Sequence, residues 1–116
     1  MQTFFKHEMP TRAQAKAKRD HAVAVEQQRV YRLVERRDQF RCRACTRRVT
    51  RTPEMVPGQL HHHHVIFRSA GGGDTSHNVA TICRLCHDDC HAGKLTMRGS
   101  ADGRLTFWRE GKKWRG

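Results

Sequence analysis

The side chains most able to do chemistry in this chain lie between residues 60 and 91. This segment opens with four consecutive histidines at positions 61–64. Two further patterns accompany the run, and they are Cys42-x-x-Cys45 and Cys83-x-x-Cys86-His87-x-x-x-His91. Cysteine thiolates and neutral imidazoles are common protein ligands of zinc and related divalent metals. The pattern therefore indicates two metals, one that holds the segment in shape and one that takes part in chemistry.

Four of the five cysteines form two C-x-x-C pairs, and they are Cys42, Cys45, Cys83 and Cys86. Zinc favours four tetrahedral sulfur ligands, and two tight turns provide them with little backbone strain. A redox C-x-x-C is the alternative, but the chain lacks the βαβ pattern of thioredoxin-like proteins. We therefore predict a structural zinc site that contributes on the order of 10–16 kcal/mol, as in zinc-finger peptides. Cys90 has two possible roles, a small buried hydrophobic side chain or a substitute metal ligand.

His87 and His91 have the spacing of one helical turn. Residues i and i+4 project from one face of a helix, so the two imidazoles can bind one metal ion together. Two surface histidines can fall four apart by coincidence, but the four histidines upstream favour a metal site. Cys86 points about a quarter-turn away from His87, so two different metals can share this short helix.

The composition indicates a small basic protein that needs a metal to fold. The chain has 116 residues, 36% of them hydrophobic, a formal net charge of +12 and a pI of about 10.6. A core of this size is marginal unaided. The excess positive charge points to a polyanionic partner, whereas no apolar run approaches the length of a membrane span. The first residues lack the apolar core and cleavage site of a secretory signal, so we expect a cytoplasmic protein.

A long helix is the first element that the sequence predicts. From Thr11, a potential N-cap, to about residue 38 the chain is rich in helix-forming residues and contains no Gly or Pro. The apolar positions of this helix predict that its second half docks on a core. These positions are Val23, Val30, Tyr31, Leu33 and Val34. The first half carries Arg12, Lys16, Lys18 and Arg19, and it is either a solvated helix end or an arm that binds the DNA backbone.

The histidine run is predicted to start a strand–turn–strand unit. Residues 60–67 are β-like, and residues 69–76 contain a glycine-rich turn. Residues 78–82 form a second short strand. Before this unit, residues 40–45 are expected to form a metal-binding turn, and residues 47–58 a loop with two prolines.

A helix and a hairpin are predicted to follow. The helix starts near Cys86 or His87, has Asp88 and Asp89 in its first turn, and ends at Gly93. Residues 94–97 and 104–108 then have the pattern of a β-hairpin.

These elements divide the chain into three parts. Residues 1–39 form a basic N-terminal arm and helix, of which residues 1–10 are predicted to be irregular. Residues 40–110 form the domain with the metal ligands, and residues 111–116 form a basic tail.

Taken in order, the residues of this domain resemble the HNH, or ββα-metal, nuclease family. The resemblance depends on His63-His64, Arg68-Ser69-x-Gly71-Gly72, Asn78 and Cys86-His87-x-x-x-His91. The C-x-x-C pairs resemble the zinc-stapled branch of the family, and the histidine spacing is also similar to that of colicin DNase domains, which lack the cysteines. The resemblance covers about residues 40–98. It implies an α+β fold with a small ββα-metal core stapled by a four-cysteine zinc site, a long N-terminal helix and a C-terminal β-hairpin.

The resemblance also implies a role for each matching residue. His63 would be a ligand of the catalytic metal, and His64 the general base that activates water. Asn78 would pin the loop and orient the base. His87 would be the second metal ligand, and His91 matches a further ligand of colicin-like members.

The run of four histidines leaves the register of this comparison ambiguous by one or two residues. We fix it by the distance back from Ser69-x-Gly71-Gly72 and by the apolar pair Val65-Ile66. His61 and His62 are then spare, as strand residues, solvent-exposed side chains or auxiliary phosphate contacts.

The implied function is metal-dependent endonucleolytic hydrolysis of DNA phosphodiester bonds, by nicking or double-strand cleavage of low sequence specificity. The implied products carry a 5′-phosphate and a 3′-hydroxyl. The cofactors would be structural Zn²⁺ and one catalytic divalent ion, Mg²⁺, Mn²⁺, Ni²⁺ or Zn²⁺. The residues expected to contact DNA, double-stranded by expectation, are Arg68, Lys94, Arg98, Arg104, Arg12, Lys16 and Arg19.

The main alternative is a non-catalytic zinc-binding protein that binds DNA. This alternative explains the positive charge and the paired cysteines, but it gives no role to His63, His64, Asn78, His87 and His91. A nuclease of this kind fits a bacterial or phage-encoded protein. The oligomeric state is left open by the sequence.

Overall fold

Two helices and two antiparallel sheets make up the part of the chain that the computed structural model describes, residues 9–115. The elements in chain order are α1 (Arg12–Arg37), β1 (Leu60–His64), β2 (Val79–Cys83), α2 (Arg84–His91), β3 (Leu95–Gly99), β4 (Leu105–Arg109) and β5 (Lys112–Arg115). The mixed α+β class predicted from the sequence is confirmed. The predicted irregular arm over residues 1–10 lies, except for Met9 and Pro10, outside the described residues.

Helix α1 begins at a capping box and docks only through its second half. The Thr11 hydroxyl accepts a hydrogen bond from the Gln14 N–H, and the Gln14 side chain accepts one from the Thr11 N–H. Val30 and Val34 are buried against Val79 of β2, as expected.

Two apolar residues of α1 that were predicted to join this interface do not. Val23 is 64% exposed, because this part of the helix extends beyond the sheet. Leu33 is 42% exposed. Leu33 lies about 100° around the helix from Val34, outside the stripe that faces the core.

Strands β1 and β2 form an antiparallel hairpin with His63 opposite Ala80 and His64 opposite Val79. All five residues of β2 are buried. Strand β1 ends at His64, three residues earlier than the sequence predicted. The reason is that the Asn78 side chain, rather than a strand backbone, accepts the hydrogen bond of the Ile66 N–H.

Helix α2 follows β2 directly and begins two to three residues earlier than predicted. Cys83 is its N-cap, since the Cys83 Sγ accepts a hydrogen bond from the Cys86 N–H at 3.4 Å. Asp88 and Asp89 therefore lie beyond the first turn, contrary to the prediction. Gly93, with a φ of +76°, follows the helix end as expected.

The C-terminal sheet has the order β3-β4-β5, all antiparallel. The predicted hairpin is β3 and β4, and a third strand that the sequence did not predict joins it from the basic tail. Leu95, Met97, Leu105 and Phe107 of this sheet are buried in one cluster with Ile82 and the cysteines. The core of the domain is therefore built around the thiols. Within residues 9–115, no helix combines the length and hydropathy that crossing a membrane requires.

Candidate active site and metal centres

Four thiols meet where the turn at residues 42–45 approaches the start of α2. The ligand atoms of Cys42, Cys45, Cys83 and Cys86 all lie within 4.8 Å of one another, and none of these cysteines is in a disulfide. The Sγ atoms of Cys45 and Cys83 are 3.7 Å apart. Four sulfurs at about 2.3 Å from one zinc ion would be about 3.8 Å apart, so the cluster fits tetrahedral zinc.

The two C-x-x-C turns have the same local geometry. In each, the first thiol accepts a hydrogen bond from the backbone N–H of the second cysteine, from Cys45 to Cys42 and from Cys86 to Cys83, both at 3.4 Å. These bonds help to orient the sulfurs toward one another.

Protonation of the thiols gives a second reason to expect a cation. The hydrogen bond with Cys83 raises the pKa of Cys42 to about 11, whereas the hydrogen bonds from Cys42 and Cys86 lower the pKa of Cys83. A thiolate at one position therefore opposes ionisation at its neighbours. A divalent cation is needed for all four to be thiolates at once.

The four histidines of β1 alternate between the two faces of the hairpin, as the period of a strand requires. The rings of His61 and His63 contact the histidines of α2. His62 and His64 lie on the other face, which α1 covers. Which pair faces α2 depends on how the hairpin packs between the two helices.

On the α2 face, the imidazoles of His63, His87 and His91 converge. The ring centres of His63 are 5.7 Å from His87 and 6.2 Å from His91, and the Nε2 atoms of His87 and His91 are 3.2 Å apart. Two nitrogens that share one zinc ion at about 2.0–2.1 Å would be about 3.3–3.4 Å apart. The Nε2 atoms of His87 and His91 have a separation that suits one divalent ion, and the ring of His63 lies beside them. Within residues 9–115, only the four thiols form a group of three or more ligand atoms that all lie within 4.8 Å of one another.

Two of these imidazoles are held in the neutral form that a metal ligand requires. The pKa of His63 is lowered to about 4, mainly by burial and to a smaller extent by the nearby rings of His87 and His91. Burial and the neighbouring His61 lower the pKa of His87 to about 4 as well. His61 stacks on His87 with ring centres 4.6 Å apart, and its Nε2 is bonded to Gln59.

On the α1 face, His64 contacts a carboxylate that sequence reasoning missed. The His64 Nε2 lies 2.7 Å from the Asp74 Oδ1, and the same oxygen accepts a hydrogen bond from Arg68 at 2.7 Å. The Gln27 amide of α1 donates to the other oxygen of Asp74 at 3.3 Å. The only sequence signal for Asp74 was an acidic residue at the end of the glycine-rich turn.

Asn78 fixes the loop that presents Asp74. Its side chain accepts a hydrogen bond from the Ile66 N–H at 2.8 Å and donates to the carbonyls of Ile66 and Gly73 at 3.1 and 2.9 Å. The backbone at Gly72 passes so close that an added Cβ would lie 1.8 Å from the Ile66 carbonyl oxygen. This position therefore requires glycine.

His62, expected to be spare, is part of a buried network between α1 and β1. Its Nε2 lies 2.7 Å from a carboxylate oxygen of Glu35, and its ring stacks on Tyr31 with centres 4.0 Å apart. Glu35 is fully buried and also accepts hydrogen bonds from Arg51 and Arg32. Sequence reasoning missed Glu35, although an acidic residue directly after the buried Val34 was a signal.

The predicted DNA-binding residues lie on three separate elements. Arg68 is beside Asp74 and His64, in a single 3₁₀ turn. Arg98 and Arg104 are exposed on the sheet of β3 and β4, and Lys94 is exposed just after α2. The third set, Arg12, Lys16 and Arg19, is exposed on the first half of α1.

Residues 42–93, a little under half of the chain, match the family model of HNH endonucleases. No curated protein and no solved structure is significantly similar to the chain. The matched segment contains the four thiols, the β1–β2 hairpin and α2, and the hairpin with α2 forms a ββα unit.

Proposed function

We propose that the HNH endonuclease domain at residues 42–93 hydrolyses phosphodiester bonds of double-stranded DNA in a metal-dependent reaction, with low sequence specificity. The observation that carries the proposal is the arrangement around the end of β1. Three imidazoles converge on its α2 side, and His64, the next residue, is paired with a carboxylate on its other side.

The residues that would hold the catalytic ion are His63, His87 and His91. A divalent cation bound by them would neutralise charge on the phosphate and stabilise the leaving oxygen. Neutral imidazoles favour Zn²⁺, Ni²⁺ or Mn²⁺, while water and phosphate oxygens at the open positions also suit Mg²⁺. His91 is exposed on the protein surface, so a phosphate can reach the ion from solvent.

His64 would act as the general base. In this mechanism the Nε2–H of His64 would donate a hydrogen bond to the Asp74 carboxylate, and Nδ1 would be the unprotonated nitrogen that takes a proton from water. Asp74 thereby fixes the tautomer and stabilises the imidazolium that forms, as the carboxylate does in a Ser-His-Asp triad. Arg68, which is bonded to the same carboxylate oxygen, would contact the phosphate.

Plasmid cleavage with matched glutamine variants tests the proposal. Supercoiled DNA is incubated with the protein and a panel of Mg²⁺, Mn²⁺, Ni²⁺ and Zn²⁺. Wild type should nick or linearise the plasmid, and His64→Gln should be slower by about 10²–10⁴-fold because it lacks a base. His62→Gln, the same change two residues away, should cleave within a few-fold of wild type, since glutamine can still bond to Glu35.

The outcomes separate the alternatives. DNA binding without cleavage under every ion would favour the non-catalytic zinc module. Loss of cleavage in His62→Gln, with a folded and active His64→Gln, would mean that the histidine register is wrong. A chelator should inactivate the protein, and added Mn²⁺, Ni²⁺ or Mg²⁺ should restore activity without refolding. Recovery on zinc alone would indicate that the required metal is structural.

A further inference from the structure

The first half of α1 projects from the protein without packing partners among the described residues. From Arg12 to Glu26 every residue is exposed except Ala15, which is half-buried. The first tertiary hydrogen bond of the helix is made by Gln27, to Asp74, and the first buried residue is Val30. At a rise of 1.5 Å per residue, the helix between Arg12 and Gln27 is about 22 Å long.

Three basic residues continue the buried stripe of α1 into this projecting half. Eighteen residues of an α-helix make five full turns, so Arg12 lies on the line of Val30 and Lys16 on that of Val34. Arg19 follows Lys16 by three residues and lies on the same face. We call Arg12, Lys16 and Arg19 the basic stripe. The face that packs on the sheet thus becomes cationic where the sheet ends.

The basic stripe lies on the same helix as a residue that contacts the carboxylate beside the proposed general base. Gln27, at the edge of the packed half, is bonded to the Asp74 carboxylate that holds His64 and Arg68. Along the helix axis, Arg19 is about 12 Å and Arg12 about 22 Å from Gln27. One DNA strand advances about 3.4 Å per nucleotide, so this distance corresponds to about four to seven nucleotides.

Opposing charge in this half of the helix is weak. Asp20 is paired with Lys16 at 2.7 Å, but both side chains are more than 60% exposed, and such pairs are easily replaced by other partners. Glu26 lies on the same side of the helix as the stripe, but its carboxylate is bonded to Arg29. The chain as a whole has a charge of +12, which disfavours a second copy as the partner of this face.

We infer that the basic stripe of α1 binds the DNA phosphate backbone on one side of the cleaved bond, about four to seven nucleotides away. The inference rests on the proposed function only for the position of the cleaved bond. The capping box keeps the helix formed before DNA arrives, although a helix of this length without packing is marginal in water. Binding would therefore stabilise the projecting half.

The test compares two charge-matched triple variants in a His64→Gln background, so that DNA is not cut. The first removes the basic stripe by Arg12→Gln, Lys16→Gln and Arg19→Gln. The control removes the same charge from another face of α1, about 120° around the helix from the stripe, by Lys18→Gln, Arg29→Gln and Arg36→Gln. Affinity for a 24-base-pair duplex is measured by fluorescence anisotropy over a range of salt concentrations, and circular dichroism checks the helix content of each variant.

Each phosphate contact contributes about 0.9 to the slope of log affinity against log salt. The stripe variant should lower this slope by about 2 to 3, and the control by less than 1. Equal changes in both variants, or no change in the stripe variant, would overturn the inference. The inference would also be overturned if the protein formed a dimer that dissociates in the stripe variant and not in the control. This experiment measures DNA binding without cleavage. If only the plasmid assay failed, that result would contradict the nuclease proposal but not the inference that the basic stripe binds DNA.

Discussion

At the scale of single residues, the site combines three kinds of side chain with different tasks. In the proposed mechanism, His63, His87 and His91 would bind a cation, and His64 with Asp74 would move a proton. Asn78 does neither, but its three hydrogen bonds fix both ends of the loop that delivers Asp74. The proposed base therefore depends on a residue that it does not touch.

Asn78→Asp tests this dependence. An aspartate can still accept the hydrogen bond of the Ile66 N–H, but it cannot donate to the carbonyls of Ile66 and Gly73. We expect the free energy of unfolding to fall by about 2–3 kcal/mol, because two buried bonds are lost and a charge faces two carbonyls. The cleavage rate should fall as well. Urea denaturation and plasmid cleavage measure the two effects.

Gln39→Glu is the matched control, since it makes the same charge change at an exposed position. It should leave stability and cleavage nearly unchanged. An Asn78→Asp protein with normal stability and normal activity would show that the loop does not depend on this side chain.

At the scale of elements, the hairpin β1–β2 is held between two helices by different means. Contacts between histidine rings and the thiol cluster join it to α2, while apolar contacts and the buried Glu35 join it to α1. Burial raises the pKa of Glu35, but the bonds from Arg51 and His62 outweigh it, so the pKa lies below its usual value of 4.5. Glu35 is therefore charged at neutral pH.

Glu35→Gln should destabilise the protein by about 2 kcal/mol at pH 7, because charge-assisted bonds from three cationic or polar partners are weakened. A lowered carboxyl pKa contributes stability above the pKa of the unfolded chain, about 4.3–4.5, and loses it as the pH falls through the folded value. The stability difference between wild type and variant should accordingly shrink below about pH 4.5. Urea denaturation of both proteins at a series of pH values from 7 to 3 measures this difference in the free energy of unfolding.

Glu26→Gln gives the comparison for this experiment. Glu26 is paired with Arg29 on the exposed side of the same helix, where solvent screens the interaction. It should alter stability little at any pH. A wild-type advantage over Glu35→Gln that stays constant down to pH 3 would contradict the proposed charge of Glu35.

At the scale of the whole molecule, the thiols rather than a large apolar core unite the fold. The main cluster of buried residues contains Cys42, Cys83, Cys86 and Cys90 among small aliphatic side chains and residues of the C-terminal sheet. Burial raises the pKa of Cys90 to about 12, so it stays a thiol and packs as a hydrophobe. It does not belong to the group of four thiols that lie within 4.8 Å of one another.

Removal of a metal ion bound by the four thiols should therefore unfold the domain. Cys45→Ser should abolish tight zinc binding and the cooperative unfolding transition, because zinc sites of this type contribute on the order of 10–16 kcal/mol. Cys90→Ser should keep one tightly bound zinc and lose only about 1–3 kcal/mol, the cost of burying a hydroxyl. Metal analysis and tryptophan fluorescence of Trp108 and Trp114 report the two outcomes. A folded, cooperative Cys45→Ser protein would contradict the role of the cluster.

Much of this protein could be predicted from local sequence patterns. The C-x-x-C spacing gave the thiol cluster, the i and i+4 spacing gave the pair His87 and His91, and the composition with Thr11 gave the bounds of α1 to within one residue. The strand end at His64 and the early start of α2 were missed, because side chains of Asn78 and Cys83 set those boundaries.

The sequence by itself determined which ligands are present and how they are spaced, because helical and strand periods act over a few residues. Tertiary structure decided which histidines of the run face α2, and it supplied Asp74 to His64 and Glu35 to His62. Those partners are 10 and 27 residues away along the chain. Contacts at such separations depend on how the hairpin packs between α1 and α2, and no short pattern encodes that packing.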